Sequence, residues 1–165
     1  MRHALTPATA EDIASIVALR NAVASQLTAR HGIGHWSSTA TAKSVRLDMR
    51  RASVYMLTNR GRPVATLALQ TRKPSAIDRV CFTPVKRPLY LIDMAVDPAR
   101  QRSGLGRRCV ADAIRMCKAW PADALCLDAY DSDAGAGEFY RTCGFTEVGR
   151  ASYRNTPLIY FEMLV

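Results

Sequence analysis

"DPARQRSGLGRR", residues 97–108, stands between the apolar run PLYLIDMAV at 88–96 and the segment CVADAIRMCKAW at 109–120. The run before it has the composition of a strand, and Pro98 keeps that strand from continuing in a ladder. From there on, Leu105, Cys109, Val110, Ala113, Ile114 and Cys117 recur at the spacing of one helical face, which Pro121 closes. The stretch is therefore a strand-to-helix turn that holds two glycines and four arginines.

Such a turn has a specific chemistry. The first N–H groups of a helix have no partner within it, and the helix dipole adds partial positive charge at the same place. Glycine at 104 and 106 lets a cluster of anionic oxygens approach those amides without a Cβ in the way. Arg102, Arg107 and Arg108 add mobile charge around them. A plain surface connection with solvated arginines would use the same glycine pair, so the glycines alone leave both readings open. No G-x-x-x-x-G-K-[ST] occurs, and G-x-G-x-x-G fails because Cys109 stands where its third glycine should be.

Working outward, the chain alternates strands and helices. A short strand is expected within RHALTPAT, residues 2–9, followed by a helix that Thr9 and Asp12 can cap. Its stripe is Ile13, Ile16, Val17, Val23, Ala24 and Leu27, and Gly32 and Gly34 end it. A loop at 31–38 precedes a second, more basic helix over 39–52. VYMLT at 54–58 and PVATLALQ at 63–70 flank NRGR, the pattern of an antiparallel hairpin. Residues 71–87, with Pro74 and Pro84, carry no assignable period. ALCLDAY at 124–130 is a strand, and 133–143 a helix with Ala136, Phe139, Tyr140 and Cys143 on one face and Gly144 just past its end. Two strands near 145–152 and 158–164 finish a single α/β domain over 1–165 with a mixed sheet and no internal repeat.

Charge and cysteine usage narrow the function classes. With 23 Lys and Arg against 14 Asp and Glu the chain carries +9, which favours anionic partners. No basic block of five or more occurs, and aromatic residues make up only 7%, so a dedicated nucleic-acid surface is not expected. Cys81, Cys109, Cys117, Cys126 and Cys143 form an odd set with no C-x-x-C pair and no histidine at metal-ligand spacing. They read as reduced and mostly buried, and no metal is expected. Glu11 and Asp12 interrupt any apolar leader, and no apolar run approaches the roughly 20 residues that span a bilayer. A cytoplasmic protein that engages no membrane is expected, and a homodimer remains open.

The glycine turn also carries a longer pattern. Q-x-x-G-x-G occurs as Gln101, Arg102, Ser103, Gly104, Leu105 and Gly106, preceded by MAVDP. LDAYDSDAGAGEFYRTCGF then fits a later strand and helix through Leu127, Ala136, Tyr140, Gly144 and Phe145. Together they resemble the GNAT superfamily of acetyl-CoA-dependent N-acetyltransferases, over nearly the whole chain. The resemblance implies a mixed, mostly antiparallel central sheet flanked by helices. It also implies acetyl-CoA as cosubstrate, with its pyrophosphate at Gln101 to Arg107 and its pantetheine arm along Met94, Ala95 and Val96. One position departs from the pattern: Asp133 stands where an asparagine is usual, and near an anionic cofactor it caps a helix but donates nothing.

Acetyl transfer to an amine needs a neutral amine, a stabilised tetrahedral oxyanion and a proton for the departing thiolate. Tyr140 matches the family's general-acid tyrosine by position. For the base, Asp93 sits mid-strand among apolar residues, where burial would raise its proton affinity. Alternation puts Asp93 on the face opposite Tyr90, Ile92, Met94 and Val96, so its access depends on a bulge. A carboxylate paired with a nearby arginine accounts for it equally well. His35, beside Trp36 in the 31–38 loop, is the second candidate. Asp128, Asp131 and Glu138 could relay protons through water. No nucleophile is supported by spacing, which fits direct attack by a primary amine in a ternary complex. The rival is a non-catalytic CoA-binding or regulatory domain on the same fold. The acceptor would be chosen by the 31–38 loop, the second helix, 71–87 and the final hairpin.

Overall fold

The computed structural model describes residues 4–165. It contains seven strands and four helices: β1 Thr6–Pro7, α1 Ile13–His31, α2 Ala42–Arg51, β2 Ser53–Asn59, β3 Arg62–Gln70, β4 Pro88–Val96, α3 Leu105–Ala119, β5 Ala124–Tyr130, α4 Gly137–Thr142, β6 Thr146–Tyr153 and β7 Thr156–Leu164. The strands form one sheet in the order β1-β2-β3-β4-β5-β7-β6, mostly antiparallel, with β4 and β5 parallel. The chain divides into two compact units, residues up to Leu69 with Asp93–Asp112, and Gln70–Ile92 with Ala113–Val165.

In the first unit, Asp12 accepts hydrogen bonds from the Thr9 N–H at 2.7 Å and from the Thr9 hydroxyl at 3.0 Å, and a short 3₁₀ turn leads into α1. Gly32, at φ +80°, ends α1, as its lack of a Cβ allows. Thr41 and Ser44 cap α2 reciprocally, which sets its start three residues later than the sequence suggests. β2 and β3 pair around Arg60 and Gly61, both at positive φ, the turn that suits a tight antiparallel hairpin. Only two residues of the expected first strand pair, Thr6 with Met56 and Pro7 with Tyr55, and its first two positions, Arg2 and His3, lie outside the described residues. Ile13, Ile16, Leu19, Val45, Leu57, Leu67 and Ala68 are buried here.

In the second unit, β5, β7 and β6 form an antiparallel ladder, with Arg154 and Asn155 at positive φ in the β6–β7 turn. Ile77, Phe82, Tyr90, Ala124, Cys126, Leu158 and Tyr160 make its core. The stretch 71–87 packs into that core through Ile77 and Phe82 even though it has no period. The Tyr160 hydroxyl fastens it, accepting from the Asp78 N–H at 3.3 Å and donating to the Ala76 carbonyl. Thr83 donates from its N–H and its hydroxyl to the buried Glu162 carboxylate. No helix among the described residues is long and apolar enough to cross a membrane.

Candidate active site

The glycine turn folds as a string of local hydrogen bonds. The Asp97 carboxylate accepts from the Ala99 N–H at 3.0 Å and starts a 3₁₀ turn over Pro98–Arg100. Gln101 and Gln26, on α1, exchange two amide hydrogen bonds at 3.0 and 3.1 Å, and Gln101 Nε2 also reaches the Val96 carbonyl at 3.2 Å. The Gln101 side chain is thus engaged within the protein and fixes the loop against α1. Arg102 adopts φ +61° and Gly104 φ +84°. A Cβ on Gly104 would meet nothing within 4 Å. The first hydrogen bond of α3 runs from the Arg108 N–H to the Gly104 carbonyl at 3.1 Å, so the Leu105 and Gly106 amides precede the helical ladder. Backbone geometry, not crowding, requires glycine at 104, and the open space in front of it can take an anion.

β4 runs unbroken over Pro88–Val96 but is distorted where the sequence placed the carboxylate. Its parallel ladder joins Pro88–Tyr90 to Ala124–Cys126. Asp93 then takes φ +51°, a left-handed conformation that breaks the alternation of the strand and that Asp tolerates better than most residues. Its side chain is 45% exposed. Burial nonetheless raises its pKa above the usual carboxylate value, Arg20 opposes that rise, and Asp48 adds to it. Exposure of one side and desolvation of the other coexist because the carboxylate faces the α1–α2 pair. Arg20 Nη2 lies 4.0 Å from Asp93 Oδ2, so the carboxylate has the arginine partner that its place in the strand led one to expect.

The 31–38 loop is built around Trp36, whose Nε1 donates to the Gly32 carbonyl at 3.0 Å. The ring lies against Gly34 so closely that a Cβ there would stand 2.4 Å from it. His31 meets Trp36 edge-on at 6.3 Å between ring centres. His35 begins a 3₁₀ turn over His35–Ser37 and is exposed.

In the second unit, Tyr140 is 8% exposed on α4, with its ring against Phe139, Phe145 and Phe161 at 5.2–6.0 Å. Burial, with Asp128 and Cys143 adding, drives its phenol far above the ordinary tyrosine value, so it stays protonated at neutral pH. α4 is shorter than its sequence pattern. Its N-cap is Ala136 with no side-chain cap bond, because the chain turns at Ser132–Gly135 first. Asp133 is exposed, three residues ahead of that N-cap, and the capping role expected for it is corrected. Ala136 is likewise exposed rather than on the buried face. Asp131 is paired with Arg150 at 3.0 Å and Glu138 with Arg141 at 3.3 Å, which engages two of the three alternative relay carboxylates. A separate cleft of about 270 Å³, lined by Thr71, Lys86, Arg87, Pro88, Trp120 and Ala122, includes no candidate residue.

None of the five cysteines is in a disulfide, and Cys109, Cys117 and Cys126 are buried with thiols pushed up to about 11. Thiols so placed are poor nucleophiles at neutral pH.

The model of the Acetyltransferase (GNAT) family matches residues 18–145, from within α1 through α4 and including the glycine turn. The chain belongs to the GNAT acetyltransferase family. Solved GNAT structures share its fold. The ribosomal-protein-S18-alanine N-acetyltransferase of Escherichia coli superposes with a TM-score of 0.73 at 19% identity, over 99% of this chain and 94% of that one. A ribosomal-protein-alanine N-acetyltransferase of Brucella melitensis gives 0.74 at 16% identity, over 98% and 99%. A chain of the NatC complex bound to Gag peptide and CoA gives 0.71 at 15%, over 100% and 99%. A sequence search among curated proteins gives no match.

Members of this family use acetyl-CoA, and at Gly104 no protein atom stands within 4 Å of where a Cβ would be, so the turn leaves its backbone open to a ligand. Three residues that shape the site had no motif to announce them: Gln26, Arg20 and Asp48. Arg20 did leave a trace, because it falls within the apolar face of α1, between Ile16, Leu19 and Val23, where a charged residue needs a buried partner.

Proposed function

We propose that this protein is an N-acetyltransferase that moves the acetyl group of acetyl-CoA to a primary amine by direct attack in a ternary complex. What supports it most is Gly104: a left-handed glycine immediately before α3, with open space where its Cβ would be, in the connection that leads from the distorted strand β4. The backbone amides of Leu105 and Gly106, with Arg102 and Arg107 beside them, would hold the pyrophosphate. The peptide groups of Met94, Ala95 and Val96 would face the pantetheine arm, beyond the point where β4 leaves its ladder with β5. Acetyl-CoA supplies the activated thioester.

The chain's own groups account for the remaining needs. Asp93, half-open to solvent, would accept a proton from the incoming ammonium group. Its raised pKa makes it a stronger base than an ordinary aspartate. Tyr140, protonated at neutral pH, can donate at the leaving sulfur and cannot act as a base. Cys109, Cys117 and Cys126, buried with thiols near 11, are poor candidates for a covalent intermediate, which favours direct transfer over a route through any of the three. His35 and the 31–38 loop would contact the acceptor. We place the activity in the cytoplasm and in a single catalytic domain, since the family match runs through both compact units.

Thiol release from acetyl-CoA, measured against a panel of amines that includes peptides with a free α-amine, tests this directly. Turnover that depends on the amine and shows intersecting initial-rate lines supports it. Tight acetyl-CoA binding with no turnover on any amine would establish the non-catalytic domain instead.

A further inference from the structure

Arg20 is an unusual residue to find inside α1. Its side chain is only 13% exposed, and of its guanidinium nitrogens just Nη1 makes a hydrogen bond, donating to Asp48 Oδ2 on α2 at 2.7 Å. Nε and Nη2 are buried without a hydrogen-bond partner. A buried donor left unsatisfied costs about 1–3 kcal/mol, and more when charged, so such a residue persists where something else depends on it. Nη2 is the nitrogen that faces Asp93 Oδ2, at 4.0 Å, slightly too far for a hydrogen bond and close enough for strong charge attraction.

Three elements therefore meet at one guanidinium. α1 supplies the cation, α2 an anchoring carboxylate, and the left-handed position in β4 a second carboxylate that remains half-open to solvent. We propose that Arg20 is the positioning counter-ion of Asp93, held in place by Asp48, and that it sets the pH at which Asp93 becomes a base for the amine acceptor. The proposal rests on the assignment of Asp93 as general base and concerns a residue that would act through Asp93.

The direction of each influence follows from charge. Arg20 favours the carboxylate form of Asp93, while burial and the Asp48 carboxylate favour the neutral acid. Arg20 and Asp48 are the charged groups that bear on Asp93 from the two helices beside it. Asp48 thus acts twice: it repels the charge on Asp93 and draws the guanidinium toward α2. Arg20→Gln must raise the pH at which Asp93 ionises, and Asp48→Asn must lower it. A merely structural role for the ion pair would not move the two variants in opposite directions.

The test is carbon-13 NMR of the Asp93 side-chain carboxyl in the full-length protein, titrated from pH 3 to 8 and assigned with Asp93→Asn. The acid limb of kcat/KM is measured in parallel. For Arg20→Gln the carboxyl midpoint should rise by about one pH unit, the low end for an opposite charge at this range, and Arg20→Lys should restore part of the shift. For Asp48→Asn it should fall. The kinetic limb should follow both. Unchanged carboxyl midpoints in Arg20→Gln or in Asp48→Asn, or shifts of the same sign in the two, overturn the proposal. If Arg20→Gln does not fold, Asp48→Asn still decides it: a fall in the carboxyl midpoint upholds the proposal, and no change or a rise overturns it. Carboxyl shifts of the expected signs that the kinetic limb ignores would uphold the counter-ion and remove Asp93 as the base.

Discussion

Asp93 combines a left-handed backbone, a carboxylate open on one side and a desolvating wall on the other. The left-handed backbone and the desolvation are unfavourable for folding, and together with the open side they suit proton transfer. Because the folded state raises its pKa, the stabilisation linked to Asp93 is complete below its unfolded value, near 4, and is lost as pH rises through the higher folded value. Asp93→Asn keeps a residue that tolerates φ +51°. Its melting temperature relative to the native protein should therefore rise from pH 4 to pH 8, while kcat falls roughly 10²-fold or more. A variant less stable at pH 8 than at pH 4, by the same comparison, would contradict the linkage. Tyr140→Phe removes only the phenolic hydroxyl. It should lower kcat by about 10²-fold and leave acetyl-CoA affinity within about threefold in calorimetry, as expected for a donor needed only when the thiolate departs.

At the scale of elements, glycines show which connections are built tightly. A Cβ on Gly135 would stand 1.9 Å from the Tyr130 carbonyl oxygen, so Gly135→Ala must open the turn between β5 and α4. Chemical denaturation should show a loss of about 1–3 kcal/mol or more. Gly34→Ala meets the Trp36 ring at Cζ2, Cη2 and Cε2, a side chain on a surface loop that can swing away. Stability should change little. In a Trp120→Phe background, Trp36 emission should shift as its bond to the Gly32 carbonyl is released.

The order of strands and helices was legible because period and punctuation agreed. Gly32, Pro98, Pro121 and the Arg60–Gly61 turn each stand at a boundary found in the fold. The boundaries that shifted lay where side chains compete with backbone. The Thr41–Ser44 box delayed α2, and the 132–135 turn shortened α4 and moved Asp133 off its cap. Residues 71–87 were opaque because Tyr160 and Glu162 organise them from 79 or more positions away in sequence. In the site, motifs revealed the groups expected to touch cofactor. Arg20, Gln26 and Asp48 act through other side chains from distant positions, and spacing does not record that.

For the molecule as a whole, cysteine reactivity reports packing in both units at once. Cys109, Cys117 and Cys126 are buried with thiols near 11, whereas Cys81 and Cys143 are partly exposed. Iodoacetamide at pH 7.5, followed by mass spectrometry, should label Cys81 and Cys143 first and reach the other three only on unfolding. The net charge of +9 will draw anions non-specifically, so cofactor binding must be separated from general attraction by its dependence on salt and on one turn.

That separation is available from the structure of the crystalline complex with acetyl-CoA, solved for the native chain and for Gly104→Val. In the native complex the diphosphate should accept hydrogen bonds from the Leu105 and Gly106 amides, with the pantetheine arm along Met94–Val96. Gly104→Val should lose that density and bind at least about tenfold more weakly by calorimetry, which corresponds to about 1.4 kcal/mol. A diphosphate bound elsewhere, or equal affinity in the two proteins, would contradict the assignment of the α3 turn as the cofactor site.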